Sequence, residues 1–214
     1  MTTEKLDIME TIKEGVRYGL RNFLPLLVMV ILYALTFWIP YLNVGTTIGL
    51  YKAVIAVGRG EKVDPTAIFA KDNFKGLSGF FLLLGLLYMG ITVSMFFMFF
   101  PALVMSIAWG FAIYFYLDKN VSPLKSLKLS YDTTYGNKWR IFALELICAI
   151  CIGLICALLA LVPKAGIVLC FLAAIVLGAI MVAVEGVMYD FFSKKADTII
   201  APETPVDDTE VPEA

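Results

Sequence analysis

Three charged side chains sit inside otherwise apolar stretches: Lys52, Glu145 and Glu185. Two carboxylates and an ammonium in apolar surroundings could hold a charged headgroup, relay an ion, or work as an acid–base pair. Lys52 lies six residues before Gly58, Glu145 five after Arg140, and Glu185 seven before Phe192. At ~1.5 Å of helical rise per residue, each is then about 8–11 Å from the same membrane interface. A shared depth predicts a cluster around a polar cavity, with Lys52 paired to one or both glutamates. The structural alternative is that Lys52 extends its four-carbon stem to the headgroups, or that one ion pair fixes helix packing.

Other chemistry is thin. The chain has no histidine, which removes a Ser-His dyad, an imidazole base and a His-ligated metal. Cys148 and Cys151 form a lone CxxC, while Cys156 and Cys170 stand apart. All four lie in apolar runs and read as small packing residues, so no metal or cofactor is expected. No Walker A loop, dinucleotide fingerprint or HExxH is present. The reading is non-catalytic, and Glu145 with Glu185 is the one enzyme alternative. A net charge of −1, with no basic cluster interleaved with aromatics, argues against nucleic acid.

These residues must be carried by elements that suit a membrane. Of 214 residues, 60% are hydrophobic, and the mean hydropathy is +0.86. A water-soluble fold is usually about 45–50% apolar and could not hide this excess. The first residues, through Phe23, lack an apolar core followed by a cleavage site and so do not read as a signal peptide. Leu6, Met9, Ile12, Val16 and Leu20 instead recur at helical spacing, as in an amphipathic interfacial helix.

Apolar blocks end at Pro40, Pro101 and Pro163, spaced 61 and 62 residues apart. A second apolar block follows each proline. Proline ends one helix and suits the first position of the next, so each marks a hairpin turn. The expected fold is all-α and polytopic: six transmembrane helices in one membrane domain, residues 1–193. Its three hairpins cover about 23–57, 77–117 and 141–192. Gly45 and Gly49 follow Pro40 at the offsets at which Ser106 and Gly110 follow Pro101, giving small-xxx-small pairs for close helix packing. Asp64 with Pro65, and Ser122 with Pro123, read as N-cap and first position of amphipathic interfacial helices.

Fifteen of the 17 Lys and Arg fall in the N-terminal segment, the two long linkers and the flank after Phe192. This bias predicts a multi-pass protein of the cytoplasmic membrane with both termini cytoplasmic. Trp38 and Tyr41 would mark the outer interface, and Tyr135 and Trp139 the inner one. Residues 194–214 read as a disordered acidic tail.

The linker "VSPLKSLKLSYDTTYGNKWRIF" with the proline-ended spans resembles uncharacterised bacterial six-helix membrane proteins. These are related to the membrane domain of some glycerophosphodiester phosphodiesterases. Ser122, Pro123, Leu127, Lys128, Ser130, Gly136, Asn137 and Trp139 carry the resemblance, which covers residues 1–193. It implies a helical membrane fold; the phosphodiesterase domain is absent, and no hydrolase activity carries over. The expected function is a module that binds anionic lipid headgroups, or a membrane or cytoplasmic partner, through a basic amphipathic face. The alternative is a small channel or transporter lined by Lys52, Glu145 and Glu185, which would need a homo-oligomer to form a pore.

Overall fold

The computed structural model describes residues 5–162 and 165–200, and it is all-α, with no strand among them. Nine α-helices follow in order among these residues: α1 (Ile8–Arg21), α2 (Phe23–Thr36), α3 (Leu42–Gly58), α4 (Leu77–Phe97), α5 (Phe99–Trp109), α6 (Ala112–Lys119), α7 (Pro123–Thr134), α8 (Lys138–Ala160) and α9 (Gly166–Ile200). Two 3-10 turns, Pro65–Phe69 and Lys71–Phe74, lie between α3 and α4.

Four stretches are long and apolar enough to cross a membrane: α4, α5 with α6, α8, and α9. The pair α1–α2 makes a fifth only if counted as one span, and it is bent by 73°. Alone, α2 has 14 residues and α3 has 17. At ~1.5 Å per residue these reach about 21 and 25 Å, short of the ~30 Å hydrocarbon core. Six spanning helices are therefore more than the helix lengths supply. The fold is that of a helical protein compatible with multiple membrane passes.

The N-terminal helix packs along α9. Asp7 caps it, accepting from the Met9 and Glu10 amides at 2.9 and 3.1 Å. Thr11, Gly15 and Gly19, spaced by four, form its buried stripe. A Cβ on Gly15 would run into Val184 of α9, and one on Gly19 into the Ile180 backbone. Numbering rises on α1 as it falls on α9, so the two run antiparallel. Small residues let the two backbones close up.

The proline turns need two corrections. Pro40 does sit in the α2–α3 turn. Pro101 instead lies inside the first turn of α5, and the break is at extended Met98. First-turn amides have no intrahelical acceptor, so proline costs nothing there. Pro163 lies outside the described residues. The α4–α5 turn also lies beside the start of α8, since Phe100 and Trp139 have ring centroids 6.5 Å apart. The sequence reading places Trp139 and this turn at opposite interfaces; the structure places them side by side.

Both linker caps form. Asp64 accepts from the Thr66 amide at 2.9 Å with Pro65 following, and Ser122 accepts from the Lys125 amide at 3.4 Å with Pro123 following. Asp64 starts a 3-10 turn rather than an amphipathic α-helix. The segment after Ser122 is α7, which buries Ser126, Leu127, Leu129, Ser130, Thr133 and Thr134 instead of lying free at an interface. Ser130 donates to the Ala108 carbonyl of α5 at 2.8 Å.

The Thr66 amide and hydroxyl hold the Asp64 carboxyl below the usual aspartate range. A depressed folded value means the cap is at full strength above the unfolded value of about 3.9. It is lost as pH falls through the lower folded value. The protection of the Thr66 and Ala67 amides against exchange, relative to their intrinsic rates at each pH, is expected to fall across that acid window in the wild type and to be low throughout in Asp64→Ala.

Three buried asparagines fix the corners. Asn22 donates to the Glu61 carbonyl at 3.1 Å and accepts from the Val63 amide at 3.3 Å, tying the α1–α2 elbow to the linker. Asn73 bonds the 3-10 turns together. Asn137 accepts from the Leu6 amide at 3.0 Å, while Arg140 donates to the Leu6 carbonyl at 2.7 Å. Lys195 of α9 donates to the Thr133 carbonyl at 2.6 Å, where the end of α7 exposes its negative dipole.

Residues 194–200, expected to belong to a disordered tail, are helical. α9 continues to Ile200, with Ala196 fully buried. The remainder of that segment, from 201 on, lies outside the described residues.

Candidate functional site

The three charges set in apolar stretches do not form one cluster. Lys52 donates to the Asn73 side chain at 2.9 Å and makes no ion pair with either glutamate. The helical period explains this. Gly45, Gly49 and Lys52 recur at i, i+4 and i+7, so they share the face of α3 turned to the linker. A Cβ on Gly45 would enter the Phe74 ring, and one on Gly49 would crowd Ile68 and Asn73. These glycines serve close packing against the 3-10 turns, not against another long helix. Val54 and Gly58 lie on a different face and meet Gly186 of α9.

Glu145 and Glu185 do come together. They line a cleft of about 260 Å³ with Ser106, Gly110, Phe111 and Met188. The Tyr114 hydroxyl is turned toward Glu185. Ser106 and Gly110 form the cleft wall rather than a helix seam, since a Cβ on Gly110 would meet only the Ser106 and Ile107 carbonyls of its own helix.

Depth changes with the length of α9. Its uncharged run is Gly166–Val184, about 28 Å at ~1.5 Å per residue, close to one core thickness. Glu185 stands at the end of that run. Glu145 immediately precedes the uncharged run 146–162 of α8. The two carboxylates therefore stand at the ends of the uncharged runs of α8 and α9. Such a cleft can bind a proton or a cation at the rim.

A second polar constellation was missed by sequence reasoning. Asp118, at the end of α6, accepts from the Arg59 guanidinium at 2.7 Å, from the Tyr189 hydroxyl at 2.7 Å and from Ser193 at 3.4 Å. Lys119 bridges to Asp197 at 2.7 Å, and Lys194 to Asp190 at 2.7 Å. Asp118 is the centre, with its side chain only 11% exposed. The available signal is an acid at the end of one apolar helix and a cation at the end of another.

All four cysteines are free thiols. Cys170 donates to the Cys156 carbonyl at 3.2 Å across the α8–α9 hairpin. Among the described residues, no three His, Cys, Asp or Glu side chains converge as metal ligands.

Fold and site together define an all-α protein with several apolar helices and charged side chains gathered at their ends. No protein-family model, curated protein or solved structure matches the chain.

Proposed function

We propose that this chain is a non-catalytic module of the cytoplasmic membrane whose basic face binds anionic phospholipid headgroups, with both termini on the cytoplasmic side. One observation carries this reading. Lys13, Arg17 and Arg21 recur by four on the exposed side of α1, opposite the Thr11, Gly15 and Gly19 stripe buried on α9. Lys62, Lys71 and Lys75 are exposed on the linker beyond α3. Among the described residues, Lys13, Arg17, Lys62 and Lys71 make no ion pair, so their charge is available to a partner. The resemblance to the phosphodiesterase-linked membrane domains fits a module of this kind.

Each cation near an anionic surface contributes about 1 kcal/mol. Replacing Lys13, Arg17, Lys62 and Lys71 with glutamine therefore removes at most about 4 kcal/mol, a thousand-fold in affinity. The expected result is that purified protein binds fluorescent phosphatidylglycerol in preference to phosphatidylcholine, and that the four-fold variant loses most of this preference. Equal binding by variant and wild type overturns it.

The Glu145–Glu185 cleft favours a second reading, a cation pathway in an oligomer. In that case proteoliposomes carry a cation flux that Glu185→Gln abolishes. Lys52→Ala would leave such a flux unchanged, because Lys52 lies on the linker side of α3.

A further inference from the structure

We propose that the α2–α3 hairpin does not cross the membrane. It lies in the plane of one leaflet, with its turn on the same side as the α3–α4 linker.

The elbow at Asn22 is the starting point. α1 runs antiparallel to α9, and α2 is bent by 73° from α1, so it leaves that shared direction. A 14-residue helix inclined by that angle advances only about 6 Å along the α1 axis, from ~1.5 Å of rise per residue. α3 returns beside α2, with Val57 packed near Leu26 and Ala53 near Met29. The base of the hairpin crosses α9 at Ala183 and Gly186, where the uncharged run of α9 ends. The hairpin therefore lies at the rim of the apolar block and not through it.

The turn supplies the second argument. Tyr41, at the tip, stacks on Phe74 with ring centroids 5.3 Å apart. Phe74 is followed by exposed Lys75 and stands three residues after exposed Lys71. A crossing hairpin would carry this cationic linker through the bilayer to the far surface and require it to return before α4. An in-plane hairpin keeps tip and linker together without burying a charge.

The surface fits the leaflet. Leu24, Val28, Ile31 and Leu35 form an exposed apolar stripe on α2. Phe37, Trp38 and Ile39 extend it across the tip. The linker packed on the hairpin exposes Lys62, Lys71 and Lys75. Acyl chains on one side and phosphate headgroups on the other match that arrangement. The positive-charge bias does not oppose this, because a hairpin that crosses twice and one that never crosses leave the linkers on the same side.

The side of the membrane rests on the headgroup reading above; the absence of crossing rests on the elbow and the Tyr41–Phe74 contact. The test uses a full-length variant with its four cysteines replaced by alanine. Single cysteines are introduced at Trp38, at Asn120 in the α6–α7 linker, and at Leu161 in the α8–α9 turn. Each is probed with an impermeant maleimide on sealed vesicles of either orientation. Trp38→Cys is expected to react from the side that exposes Asn120→Cys and not from the side that exposes Leu161→Cys. A second measurement treats Tyr41→Cys/Phe74→Cys with dibromobimane, which fluoresces when it bridges two thiols, and a bridge is expected. Labelling of Trp38→Cys with Leu161→Cys, or no bridge, overturns the proposal. Labelling of Trp38→Cys from neither side, with the bridge formed, supports a tip sunk in the leaflet. Loss of phosphatidylglycerol preference with Trp38→Cys still on the Asn120 side would remove the headgroup reading and leave the in-plane hairpin standing.

Discussion

Gly186→Ala is expected to be strongly destabilising. At the α3–α9 crossing, the Cβ would overlap the Val54 carbonyl and press on Gly58 at its amide nitrogen (2.9 Å) and Cα (3.0 Å). Those atoms are backbone, so no rotamer change can relieve the contact. The helices must separate instead, and Val57, Ala183 and Met188 lose packing with them. Overpacking costs about 1–3 kcal/mol, and a backbone clash lies at the upper end. At roughly 2–4 °C per kcal/mol for a chain of this size, thermal unfolding in detergent should fall by about 6–12 °C. Gly58→Ala should behave alike, since its Cβ would meet the Gly186 carbonyl. Gly153→Ala and Gly178→Ala are the controls. A Cβ at either finds nothing within 4 Å, and alanine gains up to about 1 kcal/mol of helix propensity over glycine. If Gly186→Ala melted with Gly153→Ala, the close crossing would be wrong, and with it the placement of the whole α2–α3 hairpin.

That pair of glycines also shows what the sequence made legible. Apolar runs reported all-α helices and the location of α4, α8 and α9, because a membrane span writes its length directly into hydropathy. The caps at Asp64 and Ser122 were legible because capping is local chemistry within three residues. Helix direction was not. The charge bias reports on which side a linker lies, and it is blind to whether the intervening hairpin crosses or returns. Prolines marked the neighbourhood of two breaks, but Pro101 shows that first-turn tolerance lets the residue sit past the turn it signals. The supposed triad failed for a related reason. Equal distance from an assumed interface says nothing about helix face, and Lys52 is two residues, or about 200°, away from the Val54 face that meets α9. Glu145 and Glu185 did meet, since α8 and α9 are joined by one short turn and must lie antiparallel.

Asp118→Asn is expected to loosen the junction of α3, α6 and α9 by about 2 kcal/mol, less than the 3–5 kcal/mol of a fully buried pair. The discount follows from exposure: Asp118 is 11% exposed, but Arg59 is 35% exposed, and water screens the guanidinium. Asparagine preserves the shape and can still accept from Tyr189, so the loss isolates the charge. Arg59→Gln should cost a similar amount. The double variant should cost less than the sum, with a coupling of about 1 kcal/mol, because each single change strands the other partner. Tyr189→Phe should cost about 1 kcal/mol through one lost hydrogen bond to the same oxygen. Asp197→Asn is the contrast. Its carboxylate also lies 2.7 Å from a lysine, yet it is 61% exposed, and such pairs contribute about 0–1 kcal/mol. Urea or thermal unfolding of the five variants separates the cases. Additive losses at Asp118 and Arg59, or an Asp118→Asn no worse than Asp197→Asn, would mean that α3 is held on α9 by the glycine crossing alone. The measured coupling would then put the polar network where the sequence reading left it, among ordinary charges at helix ends.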